Sequence, residues 1–493
     1  MYDFLNSKKV YAFYDDTSKE YPKEEPYNPS SFYPEYPFTQ DCVSKEDNKI
    51  YDAVRNLLYK LDMDSEQFNT VEWNPFKEII KPGDKVVIKP NFVLDKNIGG
   101  GDIDSVITHP SIIRAVVDYV YIALQGNGKI TIGDAPQADA DFDNLLRITK
   151  IEEIRELYKR KKNFNIDIID FRQLKFEYKN GILTSDSRIL LDGDPLGYTI
   201  FNLGKDSEFS NVEALDKLYG ADYDRSETIK HHSEGKHEYC IANTVINADV
   251  VISLPKMKTH RKGGVTLNLK NLVGINGNKN YLPHFKIGTA EDGGDEYPQL
   301  TEQQKSIVYS KRKLIDNLLV KPNVIKERIY TLITKLYCIL KPFLFSKSDI
   351  NRPEGGGSWY GNDTVWRMIV DLNKILIYGN TKGHIMDIPQ RKFFSIIDGI
   401  IAGEGDGPLA PDAKVCGLII GGENFLLTDL AAIKLMGFDP YKIPQYKHSI
   451  YLEKYRFSNT IDNEIKIESN NEFHWFFNAA QGWKGHIEQK QNY

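Results

Sequence analysis

Cysteine is scarce in this chain of 493 residues: Cys42, Cys240, Cys338 and Cys416 are its whole complement. They lie far apart and form no CxxC pair, which excludes a disulfide framework, a zinc ribbon and a ferredoxin motif and makes an iron–sulfur cluster an unfavoured cofactor. Such usage points to a reducing, cytoplasmic setting. No run of about eighteen uncharged apolar residues occurs, so no spanning helix is expected. The opening MYDFLNSKKVYAFYDD has no apolar core of signal-peptide length, and no leader is expected from it. Basic residues are not in excess either. Lys and Arg number 63 against 69 Asp and Glu, a net charge of -6, which disfavours nucleic acid as a partner. What the chain does have is 41% hydrophobic and 27% charged residues, enough for a large core. Its 29 tyrosines and 24 phenylalanines crowd into segments such as PSSFYPEYPF (29–38), where rings can line a pocket or staple an arm to the body.

Apolar strands alternate with helical patterns. Strands are expected at 10–14, 85–89, 129–133, 166–169, 245–254, 393–397 and 415–420. Helices are expected at 49–61, from Pro110 to about Leu124, 142–162, 359–378 and 426–436. Thr108 or Ser111 is the expected cap of the second helix. The alternation predicts an α/β fold, a parallel doubly wound sheet core with a helical insertion. Five segments follow: an N-terminal arm and helix (1–80), a first part of the core (81–300), the insertion (301–355), a second part of the core (356–445) and a tail packed on the body (446–493). Residues 171–240 are turn-rich and say little. Within the insertion, 324–345 (VIKERIYTLITKLYCILKPFLF) has apolar residues at helical spacing with Lys and Arg on the other face. A buried or lid helix is the favoured reading; the alternative is a basic helix on a membrane surface.

The chemistry concentrates at 248–271, ADVVISLPKMKTHRKGGVTLNLKN. A buried strand ends at Pro255, and Lys256, Lys258, His260, Arg261 and Lys262 follow as a loop before Gly263-Gly264 and Lys270. Open α/β sheets place ligands at the carboxyl ends of their strands. Lys89 and Asn91, then Asp134, then Asp398 sit just past three other strands. Lys89, Lys256, Lys258 and Lys270 suit a phosphate or carboxylate, which the Gly263-Gly264 backbone can approach. His260 suits general acid/base work. His109 is as well explained by capping or packing as by a site role. His284 is a weaker candidate. Asp398, Glu404 and Asp406, in a loop softened by glycines, could hold magnesium beside an anion; solvated carboxylates in a tight turn explain them equally well. Asp363 and Arg367, four apart on a helix, read as a surface ion pair. His231, His232 and His237 could ligate metal, but no matching third ligand is apparent and they read as solvated loop.

Several separated blocks resemble one family, the domain of unknown function 362. They are VVIKPNFV (86–93), THP (108–110), ITIGDAP (130–136), the 248–274 stretch, IIDGIIAGEGDGPLAP (396–411) and GENFLLTDLAAIKLMGFDP (422–440). GSWYGNDTVWRMIVDLN (357–373) is similar to a longer subgroup. Several relatives carry an appended ferredoxin-like segment whose cysteines this chain lacks. The spacing of His260 and Lys270 is also similar, at the level of one motif, to the site of nickel-pincer lactate racemases. The resemblance brings no settled reaction.

The expectation from the residues is an enzyme acting on a small anionic substrate, by acid/base isomerisation or group transfer. His260, Lys270 and Asp398 would be catalytic. Lys89, Asn91, His109, Asp134, Lys256, Lys258, Gly263 and Gly264 would bind substrate. The competing class is a non-catalytic anion- or nucleotide-binding module docked on a membrane or in an assembly.

Overall fold

The structure is a computed structural model. It describes residues 3–178, 183, 187–222, 224–319, 323–344, 355–460, 466–471 and 475–489.

The alternation of apolar residues in the predicted strands builds one large sheet. Five strands run parallel side by side: β4 (Ile166–Asp170), β3 (Lys129–Asp134), β2 (Lys85–Pro90), β10 (Val250–Leu254) and β14 (Lys392–Asp406). β15 (Ala410–Gly422) returns antiparallel to β14. β1 (Lys9–Tyr14) pairs antiparallel with β15, and β16 (Lys466–Ser469) lies parallel to β1 at the edge. β11 (Lys256–His260) carries β10 onward along β14, and β12 (Gly264–Thr266) folds back on β11. The doubly wound α/β expectation holds, with a mixed sheet in place of an all-parallel one.

Period-2 side chains feed two cores. Val86, Ile88, Val250, Ile252 and Leu254 face a layer with α1 (Lys49–Lys60), α2 (Pro110–Leu124), α3 (Phe142–Thr149) and α4 (Ile151–Lys162). Val87, Val251, Phe393 and Ile420 face the other layer. It holds α7 (Asn268–Asn271), α10 (Val365–Tyr378), α11 (Phe425–Leu435) and α12 (Pro444–Ile450). The 171–286 region adds α5 (Ser226–His231), α6 (Asn243–Ile246) and three small ribbons. These pair β5 (Leu174–Phe176) with β6 (Arg188–Leu190), β7 (Tyr198–Asn202) with β9 (Glu238–Ala242), and β8 (Leu218–Tyr219) with β13 (Phe285–Lys286). The insertion is a helix pair, α8 (Glu302–Leu319) and α9 (Val324–Leu344).

Several expectations are corrected. The cationic "loop" after Pro255 is strand β11, with Lys256 opposite Asp398 and Lys258 opposite Gly403. Cations are rare in buried strands, so charge mimicked a loop; Asp398 and the Val106 carbonyl meet these two ammoniums. The acidic "loop" of Glu404 and Asp406 is likewise the end of the long β14–β15 hairpin. The 142–162 helix is two helices, broken where Lys150 turns left-handed (φ 53°). The 359–378 helix starts only at Val365, where the Asn362 side chain accepts from the Thr364 and Val365 N–H groups. His109, not Thr108 or Ser111, caps α2. None of the three histidines is solvated: His231 is buried against Tyr281, and His232 and His237 among Phe209 and Tyr239. The Asp363–Arg367 pair forms at 3.0 Å as expected. In the tail, Phe477 and Trp483 are buried, while Phe476 is exposed.

The burial half of the buried-or-lid reading of 324–345 is not met over the described side chains 325–336. Ile325, Ile329, Leu332, Ile333 and Leu336 of α9 are exposed. Phe345 lies outside the described residues. Among the described residues no helix is long and apolar enough to cross a membrane.

Candidate functional site: a buried lysine cluster at the strand ends

The site begins where β2 and β3 end. Lys89 and Asp134, each nearly fully buried, form an ion pair of 2.8 Å. Lys89 Nζ also donates to the Pro90 carbonyl (2.7 Å) and to Asn271 Oδ1 (3.1 Å). Asp134 Oδ2 accepts from the Phe92 N–H at 2.7 Å. Burial lowers the Lys89 pKa, against the pull of Asp134. Asn271 joins the two strands to α7: its Oδ1 accepts from Asn91 Nδ2 (3.2 Å), and its Nδ2 donates to the Lys89 carbonyl and to Ser253 Oγ, both at 3.2 Å. Asn91 Oδ1 is buried without a partner.

Short helix α7 carries Lys270, and a carboxylate on the neighbouring α11 holds it in place. Asp429 accepts from the Asn268 N–H (2.8 Å), the Leu269 N–H (2.9 Å) and Tyr446 Oη (3.0 Å). Burial pushes the Asp429 carboxyl up to about 7, against these hydrogen bonds.

Around this frame stand four more lysines. Lys258 is fully buried, and Lys279 is 8% exposed. Lys262 and Lys270 are half-buried. Lys258 donates to the Val106 carbonyl, Lys279 to the Ala135 carbonyl at 2.8 Å, and Lys262 lies 5.1 Å over the Phe285 ring. No carboxylate forms an ion pair with any of the four among the described residues. Burial, then Lys256 and Lys270, drives the Lys258 pKa well below its ordinary value. Burial brings Lys262 and Lys270 down to about 8 and Lys279 to about 7.

Two histidines complete the cluster with opposite hydrogen-bond roles. His260 Nδ1 accepts from the Lys262 and Gly263 N–H groups at 3.0 and 3.1 Å. That assigns its proton to Nε2, a donor. His284 Nδ1 lies 2.8 Å from the Leu282 carbonyl, which assigns the proton to Nδ1 and leaves Nε2 an acceptor. Burial and the surrounding lysines hold both rings well below the ordinary histidine pKa, hence neutral. The turn between β11 and β12 that supplies the two N–H groups needs Gly264, whose φ is +74°.

Lys256, Asp398 and His109 form an adjacent, closed network. Lys256 Nζ lies 2.7 Å from Asp398 Oδ2, both groups fully buried. Tyr21, from the N-terminal arm, donates to Asp398 Oδ1 (2.5 Å) and accepts from Lys256 (2.8 Å). The His109 N–H donates to Asp398 Oδ2 (3.0 Å), and its ring stacks on Tyr21 at 4.0 Å. The His109 Nδ1 accepts from the Ser111 N–H, so capping accounts for that ring. Glu404 is engaged with Lys414 (2.8 Å) and Asn478, and Asp406 with the Gln481 N–H. Among the described residues no cluster of three or more His, Cys, Asp or Glu could hold a metal ion.

The structure thus gathers Lys89, Asn91, Asp134, Lys258, His260 and Lys270 with the Gly263-Gly264 turn. It adds Lys262, Lys279, Asn271 and His284, and sets Lys256, His109 and Asp398 beside them. Tyr21 and Asp429 escaped sequence reasoning, because each reaches the site from a remote segment.

The family model for the domain of unknown function 362 matches residues 86–186 and 198–434, so the chain belongs to that family. No curated protein matches the sequence. A solved Thermotoga maritima protein, a structural-genomics target, is similar at 9% identity and a TM-score of 0.32. The match covers 78% of this chain and 58% of that one.

Proposed function

We propose that this protein is an enzyme acting on a small anionic substrate, phosphorylated or carboxylated, by proton transfer. One observation carries the reading: Lys258, Lys262, Lys270 and Lys279 converge, buried or half-buried, with no carboxylate paired to any of them among the described residues. Burying uncompensated cations is costly, and an anionic ligand offsets that cost. We assign His284 Nε2 as the base that takes and returns the proton, and the His260 Nε2–H as a hydrogen-bond donor that stabilises developing negative charge. Asp398 is saturated by Lys256, Tyr21 and the His109 N–H, which favours a positioning role over a catalytic one. The cytoplasmic setting belongs to the same proposal; the buried free thiols of Cys42, Cys240 and Cys416 support it.

The test starts with a thermal-shift screen of phosphorylated and carboxylated metabolites. With a ligand in hand, Lys258→Ala is expected to weaken binding by about 1–3 kcal/mol. His260→Gln and His284→Gln are expected to bind normally and lose about two to four powers of ten in turnover. Normal turnover in both histidine variants would overturn the acid/base assignment, whereas binding lost in Lys258→Ala with no turnover of any bound ligand would leave the second reading, a non-catalytic anion-binding module.

A further inference from the structure

Over Ile325–Leu336, helix α9 is amphipathic with its faces reversed. Its polar side faces inward. Glu327 is buried within electrostatic reach of Arg188, and Tyr330, hydrogen-bonded to Thr334, lies near Arg312 of α8. Thr331 donates to the Glu327 carbonyl at 2.8 Å. Its apolar side faces solvent: Ile325 is 70% exposed, Ile329 44%, Leu332 69%, Ile333 38% and Leu336 54%. At about 100° per residue these five fall within roughly a third of the helix circumference. Arg328 and Lys335 border that arc on one side and Lys326 on the other. The single carboxylate between Asn323 and Leu336, Glu327, is on the opposite face.

A water-facing stripe of five branched aliphatic side chains on a helix that buries its own glutamate is explained by a partner that is apolar at the centre and anionic at the margins. We propose that α9 is a membrane-surface helix. Its Ile325–Leu336 stripe inserts into the acyl boundary of an anionic bilayer, and Arg328, Lys335 and Lys326 meet the headgroup phosphates. A second copy of the same face fits less well, because it would bring Arg328, Lys335 and Lys326 against their own like charges. The protein as a whole carries a net charge of -6, so attraction to an anionic surface has to be local, as this bordered stripe makes it. The inference is independent of the lysine cluster.

The test is co-sedimentation of the full chain with phosphatidylcholine vesicles, with and without about a third phosphatidylglycerol, at low and high salt. Binding to the anionic vesicles at low salt and release by salt are expected. Leu332→Glu/Leu336→Glu is expected to lower the bound fraction at least about tenfold, with unchanged circular dichroism and thermal transition, because both side chains are exposed. Arg328→Glu/Lys335→Glu is expected to abolish the preference for anionic vesicles. Absence of vesicle binding at low salt overturns the proposal, as does undiminished binding by the leucine double variant. Self-association in sedimentation velocity that the leucine double variant removes would assign the face to a second copy instead.

Discussion

Gly274 passes so close to Asp134 that a Cβ on it would lie 1.9 Å from the Asp134 Oδ1, with Lys89 Nζ at 2.7 Å. The backbone after α7 is therefore moulded on the Lys89–Asp134 ion pair, and the Gly274 carbonyl accepts from the Ala135 N–H at 2.8 Å. Strand ends and α7 are held as one rigid piece at the place where the cations gather.

That contact makes Gly274→Ala a sharp probe. The methyl group has to displace a buried ion pair, and a loss of about 1–3 kcal/mol in chemical denaturation is expected, as for an overpacked core. Gly263→Ala is the control: its nearest neighbour would be at 3.6 Å, an ordinary contact, and stability should change little.

The Lys256–Asp398 pair offers a thermodynamic cycle. Lys256→Met leaves a buried carboxylate with only Tyr21 and the His109 and Ile400 N–H groups, none of them charged, and should cost about 3–5 kcal/mol. Lys256→Met/Asp398→Asn should recover much of that loss, because no unpaired charge remains. A double variant as unstable as the sum of the singles would show that the pair is not coupled.

Acid stability should report on the buried histidines. Burial lowers His232 to about 3 and His237 to about 4, and the Nδ1 of each is unpartnered. Both folded values lie below the unfolded value of about 6.5. The unfolded chain therefore takes up protons first as pH falls. This contribution to stability is complete above about pH 6.5 and is lost progressively towards pH 4, by up to about 1.4 kcal/mol per pH unit for each ring. His237→Phe should flatten that slope in denaturation curves measured across the window.

Anion binding should be linked to proton uptake. Lys279 titrates at about 7 and Lys262 and Lys270 at about 8 in the free site, and a bound anion raises all three. Affinity is then highest below pH 7 and falls as pH rises past 8, by about tenfold per pH unit for each proton taken up. Calorimetry at pH 8 in buffers of different ionisation enthalpy measures the uptake directly. A pH-independent affinity with no proton uptake would count against lysine charge as the binding force.

How much of this was legible in the sequence depended on whether the partners were local. Period-2 runs such as Val86–Ile88 and Val250–Leu254 announced the strands, and the helical spacing of Val365–Tyr378 announced its helix, because backbone pairing and burial leave a local signature. The strand-end position of Lys89 and Asp134 could be read the same way. The strand character of Lys256–His260 could not, since the charges that mimic a loop are met by Asp398 from about 140 positions downstream and by the Val106 carbonyl.

What the sequence determined by itself is the α/β alternation, the family and the dense cationic stretch after Pro255, all properties of nearest neighbours along the chain. Only the tertiary structure decided which cations are left without a counter-ion. Lys256 is matched by Asp398 and Lys89 by Asp134, whereas Lys258, Lys262, Lys270 and Lys279 have no paired carboxylate among the described residues. The same holds for α9: its period is in the sequence, but which of its faces meets water depends on where Arg188 and Arg312 stand to receive Glu327 and Tyr330. Charge compensation and facing are set by distances through space, and spacing along the chain carries no record of them.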